Sequence, residues 1–588
     1  MENTGRITKK ETYGGKEFDV VYEAGTPGKT KEEHMEILAR GERPHFFNFC
    51  PVMDPRSFEI MPGIICDRDT PVKLRDGVII YVDIYRPTSA GKVPVIVSWS
   101  PFGKRQSEGL GEWKLMGVPP GTVSPLAKFE SPDPAFWCRE GYAIANVDPR
   151  GIGNSEGDAI FFGTAEGLDM YDFTEWCAEQ AWCNGKIAFT GNSGVAMSCW
   201  RAAAAQPPHL ACIAPWEGTG DMYRESVCVG GIKSDNFHAE LVKMASCKNM
   251  IENSCEMLAR HPYYNEYWID KTPDWNKVRV PVYAAAGWCH FHLRGSIEGF
   301  RRIRNPKKWL RLHRDFEWPD YYNKDHIEDL KKFFDRYLKD VHNGWETTPR
   351  VRLDVMDSYS YDFTVKRAEA SFPIERTEYR KLYIDAANAK CFSEPVKTKS
   401  EITCDPREDQ DNSVVFDYTF DEDTEITGYM KLHMFLECRG HDNMDLFVWV
   451  KKLNRDGDYI PIHCIHDAPY RGAWGYYRAS HRELDEELSS DFQPVQKHAK
   501  DEKMSPGEIV QADIEIWPHS RFWHKGETLR LEISGHFIKS DWFEDFRLGF
   551  DLDNGEGIHV FHTGGEHESF LQIPVIPPKF QVGDYIVR

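Results

Sequence analysis

The sequence lacks long apolar runs, and this absence limits where the protein can reside. No stretch approaches the roughly 18 apolar residues that a membrane-spanning helix requires. Residues 1–18 are polar in character, so we expect no signal peptide. We therefore predict a cytoplasmic protein that does not insert into a membrane.

Positive charge is also scarce relative to negative charge. The chain has 588 residues, with 72 Lys and Arg against 93 Asp and Glu, which gives a formal net charge of −21. A protein this acidic repels nucleic acid and anionic membrane surfaces, so neither is an expected partner. The acidity alone fits a solvated surface better than a site for a cationic substrate.

The 15 cysteines include no Cys-x-x-Cys pair. Their scattered, odd-numbered arrangement resembles neither a disulfide framework nor a zinc site. Two histidines, His290 and His292, are close in sequence, but no third ligand lies near them. We therefore expect reduced thiols, no bound metal and no organic cofactor.

The sequence divides into regions of different character. Residues 1–65 are polar and are predicted to form an N-terminal extension on the main body. Over 66–345, short apolar runs alternate with helical segments, which predicts an α/β domain with a parallel sheet. From about residue 225 to 275 the sequence interrupts that alternation, because it has helical periodicity and no obvious strand. We therefore predict an inserted cap there. Over 350–588, short alternating segments predict an all-β sandwich.

Particular elements follow from the periodicity. In the first domain, buried strands are predicted at 93–97, 141–147, 186–190, 280–286 and 309–313. Helices are predicted at 164–179, 195–205 and 326–338. In the second domain, the clearest strand segments are 432–440, 445–453, 509–517 and 529–537.

Ser193 lies between small residues at the junction of a predicted strand and a predicted helix. A nucleophile on such a tight turn projects outward, and small neighbours prevent crowding between helix and sheet. The Gly194 amide, at the start of the helix, would face a developing oxyanion. The fifth position of the G-x-S-x-G pattern is Val195, so a packing serine at a helix N-terminus is the alternative interpretation.

Ordered segments along most of the chain carry a family resemblance. They are Arg75-Asp76-Gly77, Tyr85-Arg86-Pro87, Asp148-Pro149-Arg150-Gly151, residues 180–185, residues 478–482, Pro506-Gly507-Glu508, Trp517-Pro518 and residues 562–565. From about 68 to 577 the chain resembles the cocaine esterase / X-prolyl dipeptidyl peptidase (CocE/NonD) family of acyl esterases and peptidases. This resemblance implies an α/β-hydrolase domain with a helical cap insertion, followed by a C-terminal all-β jelly-roll (galactose-binding-like) domain.

Two positions that carry the catalytic acid and histidine in this family are exchanged here. The family's Gly-Trp-x-Asp motif ends in His290, and the position of the family's histidine after the last strand is occupied by Glu317. Because the exchange is reciprocal, we predict a rearranged triad in which Ser193 is the nucleophile, His290 the base and Glu317 the orienting carboxylate. A triad is defined by geometry and roles rather than by order along the chain.

Alternatives remain open at each of these positions. His292 is the alternative base and Asp315 the alternative acid, and both histidines would have a simpler role if they only line the pocket. The family's oxyanion-hole tyrosine is replaced by Phe102, whose ring donates no hydrogen bond. A backbone amide at or near Phe102 is therefore expected to act together with that of Gly194.

Other residues near these motifs are candidates for substrate contacts. The predicted pocket residues are Asn192, Trp216, Trp288 and Trp318. Glu217, Asp221 and Glu225 can recognise a substrate amine, although exposed, solvated carboxylates are the simpler interpretation.

Taken together, these features predict a serine hydrolase that cleaves a carboxylic ester or amide of a small molecule through an acyl-Ser193 intermediate. An acyltransferase that uses the same intermediate and a catalytically silent binding protein are the alternatives. An X-prolyl dipeptidyl peptidase is less favoured, and a carbohydrate-binding role for the jelly roll ranks last. A homodimer is one assembly that the sequence leaves open.

Overall fold

The computed structural model describes residues 5–42, 49–89, 91–106, 113, 116–234, 239, 245–358, 362–407, 412–465, 468–470, 472–538, 549–582 and 585–587. The chain forms two compact units. The first contains residues 1–225, 237–311 and 315–348, and the second contains 226–236, 312–314 and 349–588.

The elements are numbered in chain order. The strands before residue 320 are β1 Arg6–Tyr13, β2 Lys16–Ala24, β3 Arg56–Met61, β4 Ile64–Lys73, β5 Ile79–Pro87, β6 Val93–Trp99, β7 Ala143–Asp148, β8 Cys183–Asn192, β9 Leu210–Trp216, β10 Cys228–Val229, β11 Ile232–Ser234, β12 Met250–Glu252, β13 Val282–Gly287 and β14 Lys308–His313. The later strands are β15 Val351–Ser358, β16 Asp362–Glu369, β17 Glu378–Asp385, β18 Lys390–Phe392, β19 Ser400–Cys404, β20 Ser413–Thr419, β21 Thr424–Arg439, β22 Asp445–Leu453, β23 Ile462–Ile465, β24 Ala468–Tyr470, β25 Ala473–Arg478, β26 Val510–Trp523, β27 Thr528–Ser534, β28 Phe550–Asp551, β29 Ile558–Thr563, β30 Phe570–Val575, β31 Phe580–Val582 and β32 Tyr585–Val587.

The helices are α1 Lys31–Ala39, α2 Pro134–Arg139, α3 Thr164–Glu179, α4 Ser193–Ala205, α5 Ser254–Arg260, α6 Glu266–Asp270, α7 Leu293–Arg302, α8 Glu317–Tyr321 and α9 Lys324–Leu338. Among the described residues, no helix combines the length and apolar character needed to cross a bilayer.

A mostly parallel sheet forms the centre of the first unit. Its strand order is β3-β4-β5-β7-β6-β8-β9-β13, with β7, β6, β8, β9 and β13 parallel to one another and β3 to β5 antiparallel at one edge. All six residues of β7 are buried, as expected of a strand covered on both faces. The predicted α/β fold is confirmed, and the predicted helix at 164–179 coincides with α3.

The parallel strands bring three loops to one edge of this sheet. Ser193 follows β8, Glu217 follows β9, and His290 follows β13 after a short turn. Because β8, β9 and β13 are neighbours and run in the same direction, their carboxyl ends lie side by side. Residues that are distant in sequence therefore share one crevice.

Strand pairing in the region predicted as a helical cap differs from the expectation. The prediction of a segment without strands over 225–275 was wrong, because β10, β11 and β12 all lie there. In the first unit, β12 pairs antiparallel with β2 of the N-terminal hairpin, with Ile251 opposite Glu23. Short strands with mixed polarity show too little alternation of apolar and polar residues to be distinguished from helical segments in the sequence.

The second unit is a β-sandwich, as predicted. The long strand β21 pairs with β26, β29 and β30, while β27 joins β20 to β22. Alternate side chains of these strands converge on one apolar core that includes Leu432, Met434 and Leu436. The segment predicted at 445–453 is β22 itself.

Candidate active site

Ser193 occupies a strained turn between β8 and α4. Its backbone adopts a φ of +50°, which is unusual for a non-glycine residue and turns the side chain away from the sheet. A Cβ atom at Gly191 would lie 2.2 Å from Val195 Cγ1 and 3.0 Å from the carbonyl oxygen of Glu130. Because Gly191 has no Cβ atom, the Val195 side chain has room beside it. A valine is therefore tolerated at the fifth position of the G-x-S-x-G pattern.

The Ser193 hydroxyl forms a hydrogen bond with His292. The distance from Ser193 Oγ to His292 Nε2 is 3.1 Å, and both residues are buried. On the other side of the ring, His292 Nδ1 forms a short hydrogen bond with Thr219 Oγ1. If Nδ1 donates to this hydroxyl, Nε2 is left as the acceptor for Ser193, which is the tautomer that a general base requires.

Thr219 is held by the loop that follows β9. The amides on either side of it are fixed, since Gly218 N donates to Ser296 Oγ at 3.1 Å and Gly220 N donates to Glu225 at 2.8 Å. Glu225 is buried, and burial raises its pKa to about 7 even though a nearby arginine opposes the shift. No sequence pattern marked Thr219, because its role depends only on which loop faces the histidine.

The carboxylates of this loop are not solvated. Glu217, Asp221 and Glu225 are 1%, 9% and 2% exposed, so the interpretation as exposed surface groups was wrong. Asp221 pairs with Arg224 at 2.9 Å, and Glu225 pairs with Arg294 at 3.0 Å. Asp221 and Glu225 therefore each have an arginine partner within the fold.

His290 lies between two carboxylates. Its Nδ1 is 3.4 Å from Glu217 Oε2, and its Nε2 is 3.2 Å from Glu317 Oε1. The backbone amide of His292 also donates to His290 Nδ1 at 3.1 Å. A neutral His290 therefore carries its proton on Nε2, facing Glu317.

The structure thus brings together four of the five residues considered for the triad. His290 and Glu317 form the pair that the sequence predicts, but the hydroxyl of Ser193 contacts His292, the alternative base. Asp315 is half-buried and lines a separate crevice with residues such as Pro319 and Tyr322.

Glu130 is a further carboxyl group near Ser193, and the sequence analysis missed it. It is 2% exposed, and its Oε1 accepts a hydrogen bond from Trp318 Nε1 at 3.2 Å. Burial raises its pKa well above the ordinary value and Glu317 raises it further, whereas hydrogen bonding with Trp318, Ser193 and Gly194 lowers it. No motif of the sequence marks this residue.

The predicted oxyanion donors have different surroundings. Gly194 has its amide at the start of α4, and a Cβ atom at this glycine would lie 3.4 Å from the ring of Phe102. The backbone amide of Phe102 donates to Ser100 Oγ at 3.2 Å, and that of Gly103 donates to the Ser100 carbonyl. The two amides near Phe102 thus already have local partners.

An apolar pocket opens beside Ser193 and Gly194. It encloses about 760 Å³ that protein atoms do not occupy, part of which is open to solvent. Its apolar lining is provided by Pro101, Phe102, Phe161, Phe162, Met197, Met222, Ala245, Tyr267 and Trp268. A buried ion pair also lines it, since Lys271 Nζ lies 2.8 Å from Glu252 Oε1.

The residues predicted for the pocket lie elsewhere in the same region. In the described part of the chain, Asn192, Trp216, Trp288 and Trp318 are not among the residues that line this pocket. Trp216 is fully buried and packs edge-on against the rings of Tyr283 and Tyr321. The aromatic lining of this pocket comes instead from Phe102, Phe161, Phe162, Tyr267 and Trp268.

Arg201, on the buried face of α4, connects the pocket wall to the loop that follows β9. Its guanidinium donates to four carbonyl oxygens, those of Phe162, Met197, Gly220 and Lys271, at 2.6 to 3.2 Å. Burial lowers its pKa to about 10. One side chain therefore fixes the backbone of α4, the pocket wall and the loop that carries Thr219.

Family models match both units of the chain. Residues 76–254 match the X-Pro dipeptidyl-peptidase (S15 family) model, and residues 343–572 match the X-Pro dipeptidyl-peptidase C-terminal non-catalytic domain. Cocaine esterase from Rhodococcus sp. (strain MB1 Bresler) is 25% identical over 378 residues, which cover 54% of this chain and 62% of that protein. The match therefore spans less than two thirds of this relative.

Solved structures extend the comparison to nearly the whole chain. A CocE/NonD family hydrolase from Staphylococcus aureus is 34% identical, with a TM-score of 0.82, and the match covers 87% of this chain and 94% of that one. An α-amino acid ester hydrolase shares the fold at 14% identity and a TM-score of 0.65, covering 87% and 97%. The fold, the two family models and the S. aureus structure show that this chain belongs to the CocE/NonD family of hydrolases.

Proposed function

We propose that this protein hydrolyses carboxylic esters or amides of small molecules through an acyl-Ser193 intermediate, with His292 as the general base. The observation that carries the proposal is the 3.1 Å contact between Ser193 Oγ and His292 Nε2 on a strained strand-to-helix turn. Membership of a hydrolase family supports the reaction class.

The chemistry follows from these contacts in two half-reactions. As Ser193 Oγ attacks the substrate carbonyl carbon, its proton moves to His292 Nε2, and the carbonyl oxygen becomes an oxyanion facing the Gly194 amide. The imidazolium then gives this proton to the leaving alcohol or amine as the tetrahedral intermediate collapses. Water repeats the sequence on the acyl-enzyme and releases the carboxylic acid and free Ser193.

His290 has a supporting role in this proposal. Two carboxylates, Glu217 and Glu317, lie on either side of it, and its Nδ1 accepts the backbone amide of His292. This arrangement holds the His292 backbone and places negative charge near the imidazolium that forms during each half-reaction. His290 is therefore a positioning residue, and His292 is the group that touches the reacting atoms.

The pocket indicates the class of substrate. Its aromatic and methionine lining suits an apolar acyl or alcohol group, and Met197 and Met222 can adjust to different shapes. The charged lining residues Lys271 and Glu252 form an ion pair with each other. A neutral substrate is therefore favoured over a charged one.

The test is covalent labelling with a fluorophosphonate, followed by mapping of the adduct and hydrolysis of p-nitrophenyl butyrate. We expect labelling at Ser193, its loss in Ser193→Ala, and a fall in kcat of about 10²–10⁴-fold in His292→Ala. His290→Ala is the matched control, because it removes a neighbouring histidine from the same loop. It should retain labelling at a reduced rate.

Two outcomes would overturn parts of the proposal. If His290→Ala abolishes labelling while His292→Ala retains it, the base is His290 and the triad is the one that the sequence predicts. If the folded parent protein is never labelled at Ser193, the hydrolase proposal fails and a binding role on this fold takes its place.

A further inference from the structure

A short turn brings a buried carboxyl group to the nucleophile. Glu130 adopts a φ of +57°, and its carbonyl oxygen accepts the Asn192 amide at 3.0 Å. The close approach depends on Gly191, where a Cβ atom would lie 3.0 Å from the same carbonyl oxygen. The turn is therefore fastened directly to the residue that precedes Ser193.

The turn is also fixed from its other side. The Tyr322 hydroxyl accepts from the Ser131 amide and donates to the Lys128 carbonyl, with both distances 3.1 Å. The ring of Phe129 packs between those of Phe102 and Trp318, at centroid distances of 5.2 and 5.7 Å. Glu130 is thus held on a preorganised backbone, as an electrostatic catalytic group requires.

The carboxyl group itself has one satisfied and one unsatisfied oxygen. Trp318 donates to Oε1, whereas the buried Oε2 makes no hydrogen bond of ordinary geometry among the described residues. The Ser193 hydroxyl and the Gly194 amide also lie close enough to influence this carboxyl group. An unpartnered oxygen at this place is costly unless it carries a proton that it can donate during the reaction.

We propose that the carboxyl O–H of Glu130 is the second donor of the oxyanion hole, beside the Gly194 amide. The proposal rests on the hydrolase function argued above and supplies the donor that Phe102 cannot provide. A carboxylic acid kept neutral by an apolar site can donate a hydrogen bond to an oxyanion. Glu130 keeps its proton throughout, so no additional proton transfer is needed.

The same geometry makes the opposite role testable. An ionised Glu130 would place a negative charge where the oxyanion develops, and would then inhibit the reaction by repulsion. Burial and the adjacent Glu317 raise the pKa of Glu130 well above its ordinary value, which favours the neutral acid. The donor role and the inhibitory role predict opposite effects of removing the carboxyl group.

The first experiment compares Glu130→Ala and Glu130→Gln by steady-state hydrolysis of p-nitrophenyl butyrate. We expect kcat to fall about 10²–10³-fold in the alanine variant, with little change in KM, because one oxyanion donor is lost. Glutamine retains an N–H donor and a carbonyl oxygen for Trp318, so we expect it to recover most of this loss. Circular dichroism and thermal unfolding check that both variants fold.

The pH profile separates this role from a purely structural one. As the pH rises through the pKa of Glu130 the donor ionises, so parent kcat should fall on the alkaline side, whereas Glu130→Gln should lack this fall. Other titratable groups that influence or respond to Glu130 are Glu317, Lys128, Tyr321 and Tyr322. The alkaline fall should persist in Lys128→Met, because the fall belongs to Glu130.

Two results would overturn the inference without touching the hydrolase proposal. One is that the parent protein is active and Glu130→Ala has an equal or higher kcat. The other is that Glu130→Gln is as impaired as Glu130→Ala. A parent that neither labels at Ser193 nor hydrolyses the ester would instead remove the proposed function and this inference together.

Discussion

At the scale of single residues, two neighbouring histidines have different surroundings. His292 is the last residue before α7, where its ring reaches from Ser193 to Thr219. His290 lies in the turn after β13, where its ring reaches Glu217 and Glu317. Sequence spacing alone cannot separate them, because a turn between two residues decides which way each ring points.

The hydroxyl of Thr219 offers a direct test of how His292 is oriented. In Thr219→Val, the side chain keeps its shape but can no longer accept the Nδ1 proton, so the productive tautomer of His292 loses its stabilisation. We expect kcat for p-nitrophenyl butyrate to fall by about 10- to 100-fold with little change in KM.

Thr219→Ser is the matched control, since it retains the hydroxyl and should keep kcat within about threefold of the parent. Equal activity of the valine and parent proteins would show that Thr219 does not orient the base.

Lys128 is a lysine buried beside Glu130 in the chain. It is 3% exposed, and its Nζ makes no hydrogen bond within the described residues. Burial lowers its pKa to about 7 from the 10.5 of an exposed lysine. Between these two pH values the unfolded chain binds more protons than the folded protein, so Lys128 makes the free energy of unfolding rise with pH across this window.

Replacing Lys128 with methionine should therefore stabilise the protein. We expect Lys128→Met to raise the free energy of unfolding by about 1–4 kcal/mol at pH 7, and to flatten its rise towards pH 10. Thermal unfolding as a function of pH measures both effects. Lys307→Met, at an exposed position, is the control and should change neither; a loss of stability in Lys128→Met would contradict the argument.

At the scale of elements, the N-terminal hairpin supports one wall of the pocket. Strand β2 pairs with β12, whose last residue, Glu252, lines the pocket and binds Lys271. The backbone of Val21 accepts the Asn253 amide at 2.9 Å, and the Val21 side chain is 1% exposed. The hairpin is thus part of the hydrolase unit rather than an appendage.

A charge buried in this hairpin should therefore reach the active site. In Val21→Asp, an unpaired carboxylate in the core should lower the free energy of unfolding by about 2–4 kcal/mol and raise KM by loosening Glu252. Ile7→Asp places the same charge on the same hairpin at a residue that is 45% exposed, and should change neither quantity. Hydrogen exchange over 245–260 would report the loosening, and equal behaviour of both variants would contradict it.

At the scale of the whole molecule, the parts that could be predicted are those with a repeating signal. Buried parallel strands such as β6, and alternating strands such as β22, have periodicities that the sequence shows directly. The ordered motifs of the family added the fold of both domains. Short strands such as β12 depend on a partner far away in the chain, and so were missed.

The active site could be predicted only where a motif marks the backbone. Ser193 and Gly194 lie on a turn whose small residues are visible in the sequence. Thr219 and Glu130 lie near His292 and Ser193 only because separate loops come together in the fold, and no local sequence pattern encodes this. The reciprocal exchange did identify His290 and Glu317 as a contacting pair, because a change at one position was matched at the other.

The buried guanidinium of Arg201 has a consequence for how the substrate range of this protein can evolve. Besides the Met197 carbonyl of its own helix, Arg201 binds carbonyl groups of three separate loops, so moving any of these loops would leave a buried N–H donor without an acceptor. Insertions or shifts of the loop backbone are thereby selected against. We expect new substrates to be reached instead by exchanging side chains that face the pocket, such as Met197 and Met222.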